Sequence, residues 1–168
     1  MGEALEPTLA DKAAVLERLS EHPAVKAIVA WNPDALCDAR RDFSELTLTI
    51  APDQIRAAAA ALRDAGYNFF EDMTAVDWFP ASPRFQLSYH ILSHAFKERI
   101  RLRVVLDEAE SSVQSITPVW PSANFFEREV FDLFGIRFEG HPNLRRIMLP
   151  DDWQGHPLRK DYPVEGYR

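Results

Sequence analysis

The run FQLSYHILSHAFKERIRLRVVL, residues 85–106, contains the clearest pattern in this chain. Apolar and polar residues alternate from 85 to 91 and again from 99 to 104, which is the two-residue period of a β-strand. Such alternation is typical of antiparallel strands with one buried face and one wet face. The run therefore predicts an antiparallel pair whose apolar side needs a covering layer of helices.

The rest of the first 136 residues supplies the other elements of that layered fold. Further strands are predicted at Val25–Trp31, Leu46–Ile50 and Asn68–Trp78, with a polar loop between the first two and an edge segment at Val113–Thr117. Helices are predicted at Asp11–Ser20, from Asp53 as N-cap to Gly66 as C-terminal stop, and from Pro121 to Phe134 before Gly135. The fold class is thus α+β: one mixed, mostly antiparallel sheet of about four to five strands with helices packed on a face.

Composition limits the chemistry that the chain can carry by itself. At 168 residues and 19.2 kDa, with 46% hydrophobic and 27% charged residues, it fits one globular domain. The single cysteine, Cys37, excludes an internal disulfide and any four-thiolate iron–sulfur cluster or cysteine-based zinc site within this chain. The sequence contains no phosphate-binding glycine loop and no Gly-x-Ser-x-Gly nucleophile motif. A reducing, cytosolic compartment and no redox cofactor of its own are expected.

The charge distribution separates the body of the chain from its C-terminal end. The net charge is −7, and residues 137–168 hold six Arg or Lys against five Asp or Glu, so residues 1–136 carry −8. An acidic body argues against nucleic acid as a partner, because it repels phosphates. No run approaches the roughly 18 apolar residues of a membrane span, and no signal peptide is recognisable, so contact with the membrane is expected only indirectly.

Residues 137–168 are predicted to form an extended arm that follows a single domain of residues 1–136. The phrase Gly140-His141-Pro142 recurs as Gly155-His156-Pro157, and the many prolines and glycines prevent a long helix or a sheet ladder. Six side chains of the arm can pair charges or bury aromatic rings on another protein, namely Arg145, Arg146, Trp153, Arg159, Lys160 and Tyr162. The arm is therefore predicted to dock on partner subunits.

Two groups of polar side chains leave other chemistry open. Glu127, Glu129 and Asp132 lie on the last predicted helix, where carboxylates either form salt bridges or serve acid/base catalysis. A second group has the ligand types of a small metal-dependent hydrolase: His141, His156, Asp151 and Asp152. Both histidines lie between glycine and proline at a spacing unlike that of metal pairs, which favours turn residues that donate to backbone carbonyls or to a partner.

Several motifs near the C-terminus occur together in a known order. Glu127-Arg128-Glu129 is followed by Asp132-Leu133-Phe134, His141, and Arg145 with Ile147-Met148. The run from Leu149 to Pro163 and the earlier run Phe70–Trp78 extend the likeness. In these residues the chain resembles the 30-kDa subunit family (the C subunit) of respiratory complex I, the proton-pumping NADH:quinone oxidoreductase.

The resemblance implies a structural subunit without a cofactor in the peripheral, hydrophilic arm of that complex, on the cytoplasmic face of the bacterial inner membrane. Electrons would pass from NADH through FMN and iron–sulfur clusters in partner subunits to quinone, and the isolated chain would not be catalytic. The implied partners are the quinone-site subunit of the 49-kDa type and the terminal-cluster subunits (B and I types). The alternative within the family is the equivalent subunit of a membrane-bound hydrogenase or of a ferredoxin- or F420-linked complex.

The residues expected to dock on partners come from the shared motifs and from the arm. They are Glu127, Arg128, Glu129, Asp132, His141, Arg145, Arg146, Asp151, Asp152, Trp153, His156, Arg159, Lys160, Asp161 and Tyr162. No catalytic, cofactor-binding or metal-binding residue is expected.

Overall fold

The fold is built around a five-stranded sheet. The computed structural model describes residues 17–167 of the 168-residue chain. The strands of the sheet are Leu36–Asp42 (β1), Glu45–Ile50 (β2), Phe69–Asp77 (β3), Phe85–Ser93 (β4) and Glu98–Leu106 (β5), in the spatial order β1-β2-β5-β4-β3. All neighbouring strands are antiparallel except β2 and β5, which are parallel. The predicted mixed, mostly antiparallel sheet is thus confirmed.

The central pair, β4 and β5, follows the predicted alternation. Tyr89 lies opposite Leu102 in the ladder, and both side chains are buried. The next pair along, His90 and Arg101, points to the other face and stays partly exposed. The sheet therefore has one apolar side for helices and one polar side.

Helices cover the apolar side of the sheet. Apart from the helical residues 17–19, the α-helices in the described part of the chain are Pro23–Trp31 (α1), Ile55–Asp64 (α2) and Ala123–Phe134 (α3). Their buried side chains join those of the strands in one hydrophobic cluster. Within it, Phe70 of β3 stacks 5.9 Å from the ring of Trp120 and lies edge-on, 5.6 Å away, to Phe126 of α3. Burial of one such ring stabilises the fold by roughly 1.5–3 kcal/mol.

The prediction of a strand at Val25–Trp31 is wrong, because this run belongs to the helix α1. Pro23 lies in the first turn of the helix, and Nδ1 of His22 accepts a hydrogen bond from the amide of Ala24 at 3.3 Å. Ala24, Val25 and Ile28 then bury one face of the helix. A short apolar run has no period that separates a buried helix from a strand, so the cap and the proline decide between them.

The predicted polar loop between the first two strands is also wrong. Residues 36–42 form β1, which pairs with β2 as an antiparallel hairpin. Leu36, Asp38 and Ala39 are buried, whereas the charged residues that follow stay exposed at the edge of the sheet. An edge strand tolerates charged side chains, and these charges concealed the strand pattern.

Asp53 does not cap α2. Pro52–Gln54 form a 3₁₀ turn ahead of the helix, and the carboxylate of Asp53 accepts a hydrogen bond from the side chain of Gln54 at 2.9 Å. The helix ends at Asp64, and Gly66 follows with φ +105°, so the predicted C-terminal stop is confirmed. Most of the predicted helix Asp11–Ser20 lies outside the described residues. Within its described part, residues 17–19 are helical.

A separate two-stranded sheet replaces the predicted edge segment at Val113–Thr117. Ser112–Gln114 (β6) pairs in parallel with Arg137–Glu139 (β7) and not with the main sheet. The expectation that no sheet ladder follows Gly135 therefore fails for three residues. β7 contacts α3, and residues 141–167 follow it.

Residues 141–167, which we call the C-terminal segment, contain only turns, bends and irregular chain. The division into a domain of residues 1–136 and a docking arm of residues 137–168 stays a prediction. No helix within residues 17–167 is long and apolar enough to cross a membrane.

Candidate functional site

Asp132 holds the middle of the C-terminal segment against α3. Its side chain is fully buried, and Oδ2 accepts the amides of Ile147, Met148 and Leu149 at 2.9, 2.8 and 3.0 Å. Nη1 of Arg146 donates to Oδ1 at 2.6 Å. Burial raises the pKa of Asp132, but these donors outweigh it and hold the pKa below its ordinary value. The carboxylate is therefore ionised at neutral pH and fixes four consecutive residues of the segment.

The two Gly-His-Pro phrases attach the C-terminal segment to opposite ends of α3. His141 donates from Nε2 to the carbonyl of Asn124 at 3.3 Å, while its Nδ1 accepts the amide of Asn143 at 3.0 Å. His156 donates from Nδ1 to the carbonyl of Asp132 at 2.9 Å. Burial lowers the pKa of both imidazoles, which favours their neutral forms. Both histidines are thus turn residues that donate to backbone carbonyls, as the sequence predicted.

Gly135 allows the second of these turns to approach the end of α3. Its φ of +75° is in the left-handed region, and a Cβ atom there would lie 2.6 Å from Cδ2 and Nε2 of His156 and 2.9 Å from Nη2 of Arg159. Any larger residue would therefore push the C-terminal segment away from the helix.

Arg84 fixes the far end of the C-terminal segment. Its side chain is only 4% exposed and pairs with both carboxylate oxygens of Asp77, at 3.0 and 2.9 Å. The same guanidinium donates to Glu108 at 2.5 Å and to Oδ1 of Asp161 at 2.5 Å, and it lies 5.0 Å over the ring of Phe85. One buried cation thus joins the β3–β4 connection to the segment.

Asp77 contacts the C-terminal segment directly as well. Its Oδ2 accepts the amide of Lys160 at 2.9 Å. Burial raises the pKa of Asp77, but the hydrogen bonds from Arg84 and from backbone amides lower it to about 2. Asp161 also has a lowered pKa, chiefly because of its hydrogen bond from Arg84. Both carboxylates stay charged over the physiological pH range and keep the cation paired.

Two further arginines bind main-chain carbonyls across the junction between α3 and the segment. Arg128 donates to the carbonyls of Arg145 and Arg146, both at 3.1 Å. Arg159 donates to the carbonyl of Phe134 at 2.6 Å. Carbonyls in the last turn of a helix lack partners within the helix, so Arg159 satisfies one of them. Arg128, Arg146 and Arg159, predicted to dock on partners, are thus engaged within the chain.

Glu127, predicted to dock on a partner, lies in the interior. Its carboxylate accepts the Ser115 hydroxyl at 2.6 Å and the Ile116 amide at 2.7 Å, and its side chain is fully buried. Burial raises the pKa of Glu127 to about 7, and the two hydrogen bonds offset this only in part. Nε2 of His141 is 4.0 Å away.

The other predicted docking residues lie at the surface. The exposed members are Glu129, Arg145, Asp151, Asp152, Trp153, Lys160 and Asp161, and Tyr162 is half-buried beside Tyr167. His141, His156, Asp151 and Asp152 do not converge: within residues 17–167 no group of three or more His, Cys, Asp or Glu side chains could hold a metal ion. The described structure therefore contains no metal site for the hydrolase that these four residues suggested.

The outer surface of the C-terminal segment carries exposed apolar side chains beside charged ones. Exposed side chains are Ile147 (38%), Met148 (62%), Trp153 (41%), Leu158 (50%), Val164 (104%) and Tyr167 (57%). No residue from 141 to 167 is buried in the sense of a core residue. Folding of this chain alone leaves these apolar groups in water, which is the pattern of a surface that another protein covers.

Sequence reasoning missed the residues that position this surface. Arg84 belongs to no motif, because it is a lone charge between Pro83 and Phe85, although its place at the start of a buried strand was a signal. Ile147 and Met148 stand out in the sequence only as part of a family pattern, and their exposure follows from the backbone bonds to Asp132. Residue spacing carries no signal for that geometry.

A small α+β body that holds a segment with exposed apolar side chains by buried charges has the pattern of a protein-binding subunit. The chain belongs to the 30 Kd subunit family of respiratory-chain NADH dehydrogenase, whose family model matches residues 48–168.

Curated relatives agree with this family. The chain is 48% identical over 134 residues to the C subunit of an NADH-quinone oxidoreductase from Citrifermentans bemidjiense, covering 79% of this chain and 83% of the relative. It is 44% identical over 157 residues to the protein of the same name from Roseiflexus sp. (strain RS-1), covering 92% and 85%.

Two solved structures share the fold. A trypsin-resistant fragment (1-134) of Nqo5 is 31% identical with a TM-score of 0.61, covering 77% of this chain and 98% of that one. A chain of the membrane-bound sulfane sulfur reductase, an archaeal respiratory membrane complex, is 25% identical with a TM-score of 0.71, covering 83% and 84%. The fold therefore occurs in more than one kind of respiratory complex.

Proposed function

We propose that this chain is a structural subunit without a cofactor of its own in the peripheral arm of a proton-translocating NADH:quinone oxidoreductase. Electrons pass from NADH through FMN and iron–sulfur clusters of other subunits to quinone, so the enzymatic activity is that of the complex and the isolated chain is not catalytic. The curated relatives from Citrifermentans bemidjiense and two Roseiflexus strains are named as the C subunit of NADH-quinone oxidoreductase, which supports this assignment. Its place is at the cytoplasmic face of the bacterial inner membrane, held there through the complex.

The observation that carries this proposal is the set of exposed apolar side chains on a C-terminal segment that buried charges of the body hold in place. Met148 and Leu158 are at least half exposed although their neighbours in sequence are fixed to the body by hydrogen bonds. Because the segment is already ordered against the body, a partner gains apolar contact without paying the full entropy of ordering it. Rigid apolar anchors of this kind are where interfaces concentrate binding energy.

The proposed partners are the quinone-site subunit of the 49-kDa type and the terminal-cluster subunits (B and I types). Arg145, Asp151, Asp152 and Lys160 are exposed in the same segment as the apolar side chains and would form the polar rim of the interface. Rim charges guide orientation and association rate more than they contribute affinity.

The likeness to the sulfane sulfur reductase chain favours one alternative, the equivalent subunit of a related complex such as a membrane-bound hydrogenase or a ferredoxin- or F420-linked complex. The identity to that chain is 25%, against 48% to a C subunit of NADH-quinone oxidoreductase, so the first assignment is preferred. The electron donor that the purified complex oxidises distinguishes the two.

The test is co-purification from the host with a tagged full-length chain. Met148→Ser combined with Trp153→Ser removes two exposed apolar side chains that take no part in the side-chain anchors. We expect a loss of co-purifying subunits of about tenfold or more, as for removal of a binding hot spot. Val29→Ser, a change at an exposed residue of α1, is the matched control and should retain them. Full recovery of partner subunits with the double variant would contradict the proposal.

A further inference from the structure

The hairpin that joins β1 to β2 has an unfavourable turn. Asp42 pairs with Glu45, so the loop consists of only Phe43 and Ser44, and both have positive φ, +49° and +71°. Two-residue hairpin loops with positive φ at both positions strongly prefer Asn and Gly, because other residues are strained there. Phe43 and Ser44 therefore cost stability that an Asn-Gly turn would not.

The ring of Phe43 makes no packing contact within the described chain that would offset this cost. Its side chain is fully exposed, the most exposed aromatic ring in the described structure. Phe96 provides the comparison, since it lies beside Lys97, which has φ +54° in the β4–β5 turn. The ring of Phe96 packs 5.6 Å from Tyr67 and is half covered. A strained position with an uncovered aromatic ring is typical of a site that is stabilised by something outside the chain.

The turn is separate from the C-terminal segment. β1 is at one edge of the sheet and β3, which carries Asp77, is at the other, four strand spacings or roughly 19 Å apart. The family model begins at residue 48, so the turn also lies outside the residues that the family model matches. Whatever covers Phe43 is therefore a contact distinct from that of the segment.

The charges near the turn indicate the chemistry of the partner. Arg41 is exposed and Arg18 is nearby, and neither forms an ion pair with another described residue. Both line a cavity of about 400 Å³ beside the turn, together with Leu19, Ala39 and the ion pair of Arg40 with Asp42, so three arginines face one carboxylate. In a chain of net charge −7, this is a local site for a carboxylate next to an apolar contact.

We propose that Phe43 inserts into an apolar pocket of a neighbouring protein subunit while a carboxylate of that subunit binds between Arg18 and Arg41. This inference rests on the proposed function in so far as the neighbour belongs to the same complex. A lipid surface fits less well, because one exposed ring provides too little apolar area for stable membrane attachment.

The direct test places a photoreactive p-benzoylphenylalanine at position 43 of the full chain in its host and irradiates the purified complex. The expected result is a crosslink to another subunit, at a peptide that contains Asp or Glu. A crosslink to lipid, a crosslink to a second copy of this chain, or no crosslink from an intact complex would each overturn the proposal.

A second test uses the strain in the turn. Phe43→Asn with Ser44→Gly should raise the melting temperature of the full chain by a few degrees, because the turn becomes favourable. The same variant should be incorporated into the complex about tenfold less well than wild type when the two compete, because the anchor is lost. Lys97→Gly relieves the same strain at the β4–β5 turn and should leave incorporation unchanged.

Arg41→Glu should weaken incorporation of the chain, and Phe43→Tyr should preserve it. Equal incorporation of the Asn-Gly variant and wild type would sink the inference while leaving the role of the C-terminal segment intact. If instead wild type itself co-purifies with no complex, the proposed function has failed and not merely this contact.

Discussion

Glu127 and Asp132 are five residues apart on one helix, both fully buried, and their pKa values move in opposite directions. Burial raises the pKa of each. Asp132 receives three amides and a guanidinium, which outweigh burial, whereas Glu127 receives one hydroxyl and one amide, which do not. The stronger set of donors around Asp132 and the stronger effect of burial on Glu127 together separate the two pKa values.

This difference predicts a pH dependence of stability that belongs to Glu127. In the folded chain the pKa of the Glu127 carboxyl is about 7, whereas its ordinary pKa, which applies to the unfolded chain, is 4.5. As the pH rises, Glu127 therefore loses its proton in the unfolded chain before it does so in the folded chain. The contribution of this proton to the free energy of unfolding is complete below pH 4.5 and is lost between pH 4.5 and about 7. The loss is about 3 kcal/mol.

Glu127→Gln removes this dependence, because an amide does not titrate. Urea denaturation of both proteins from pH 4.5 to 8 should give curves that converge at the acid end and separate as pH rises, with the variant more stable at pH 8. The other groups facing this carboxyl, Tyr89, Arg56 and His141, are the same in both proteins. Parallel curves over the whole range would show that Glu127 ionises normally in the fold.

At the scale of elements, Gly135 governs the contact between α3 and the C-terminal segment. Gly135→Ala should destabilise the chain by roughly 2–4 kcal/mol, because it combines a left-handed alanine with a contact of 2.6 Å to the ring of His156. Gly166→Ala is the matched control. Its φ is +73°, but the nearest atom would be 3.5 Å away, so only the backbone cost of about 1 kcal/mol applies.

Chemical denaturation of the two alanine variants separates the steric part from the backbone part. The difference between them is the free energy of the contact between the helix end and the second Gly-His-Pro turn. Equal destabilisation would mean that this turn moves away from α3 without cost.

The elements that the sequence predicted well are those in which the local pattern and the tertiary environment agree. β4 and β5 alternate cleanly because one face is core and the other is water, and α3 is bounded by Pro121 and Gly135. β1 could not be recognised, because an edge strand carries charges on positions that a central strand would bury. α1 resembles a strand in sequence because its short apolar run fits either period.

The candidate site was predictable only in part, for a related reason. Proline and glycine on either side of His141 and His156 indicated turns, and local chemistry was enough to infer carbonyl partners. The pairing of Arg84 with Asp161 joins residues 77 positions apart, and no local pattern encodes such a contact. The direction in which Met148 points is likewise set by a carboxylate on another element.

At the scale of the whole molecule, the anchors predict where a protease enters. In the C-terminal segment, Arg145 and Lys160 are exposed, whereas the guanidinium groups of Arg146 and Arg159 are bound to Asp132 and Phe134. Limited digestion of the full chain with trypsin should therefore cut first after Arg145 and Lys160 and leave the sheet intact. A relative solved as a trypsin-resistant fragment (1-134) is consistent with a resistant body.

Intact-mass measurement over time checks this order of cleavage. Asp161→Asn weakens the contact with Arg84 and should speed the cut after Lys160 without changing the size of the resistant fragment. First cuts among Arg99, Arg101 and Arg103 of β5 would contradict the view that the sheet is the more stable part.

The parallel pairing of β2 with β5 has a consequence for synthesis of the protein. β2 ends at Ile50 and β5 begins at Glu98, so the β1–β2 hairpin leaves the ribosome long before the strand that it joins. An isolated hairpin is at best marginally stable in water. The β1–β2 hairpin therefore has no neighbouring strand to pair with until residue 106 has emerged. A translational pause before that point would leave exposed strand edges, the substrate that chaperones hold.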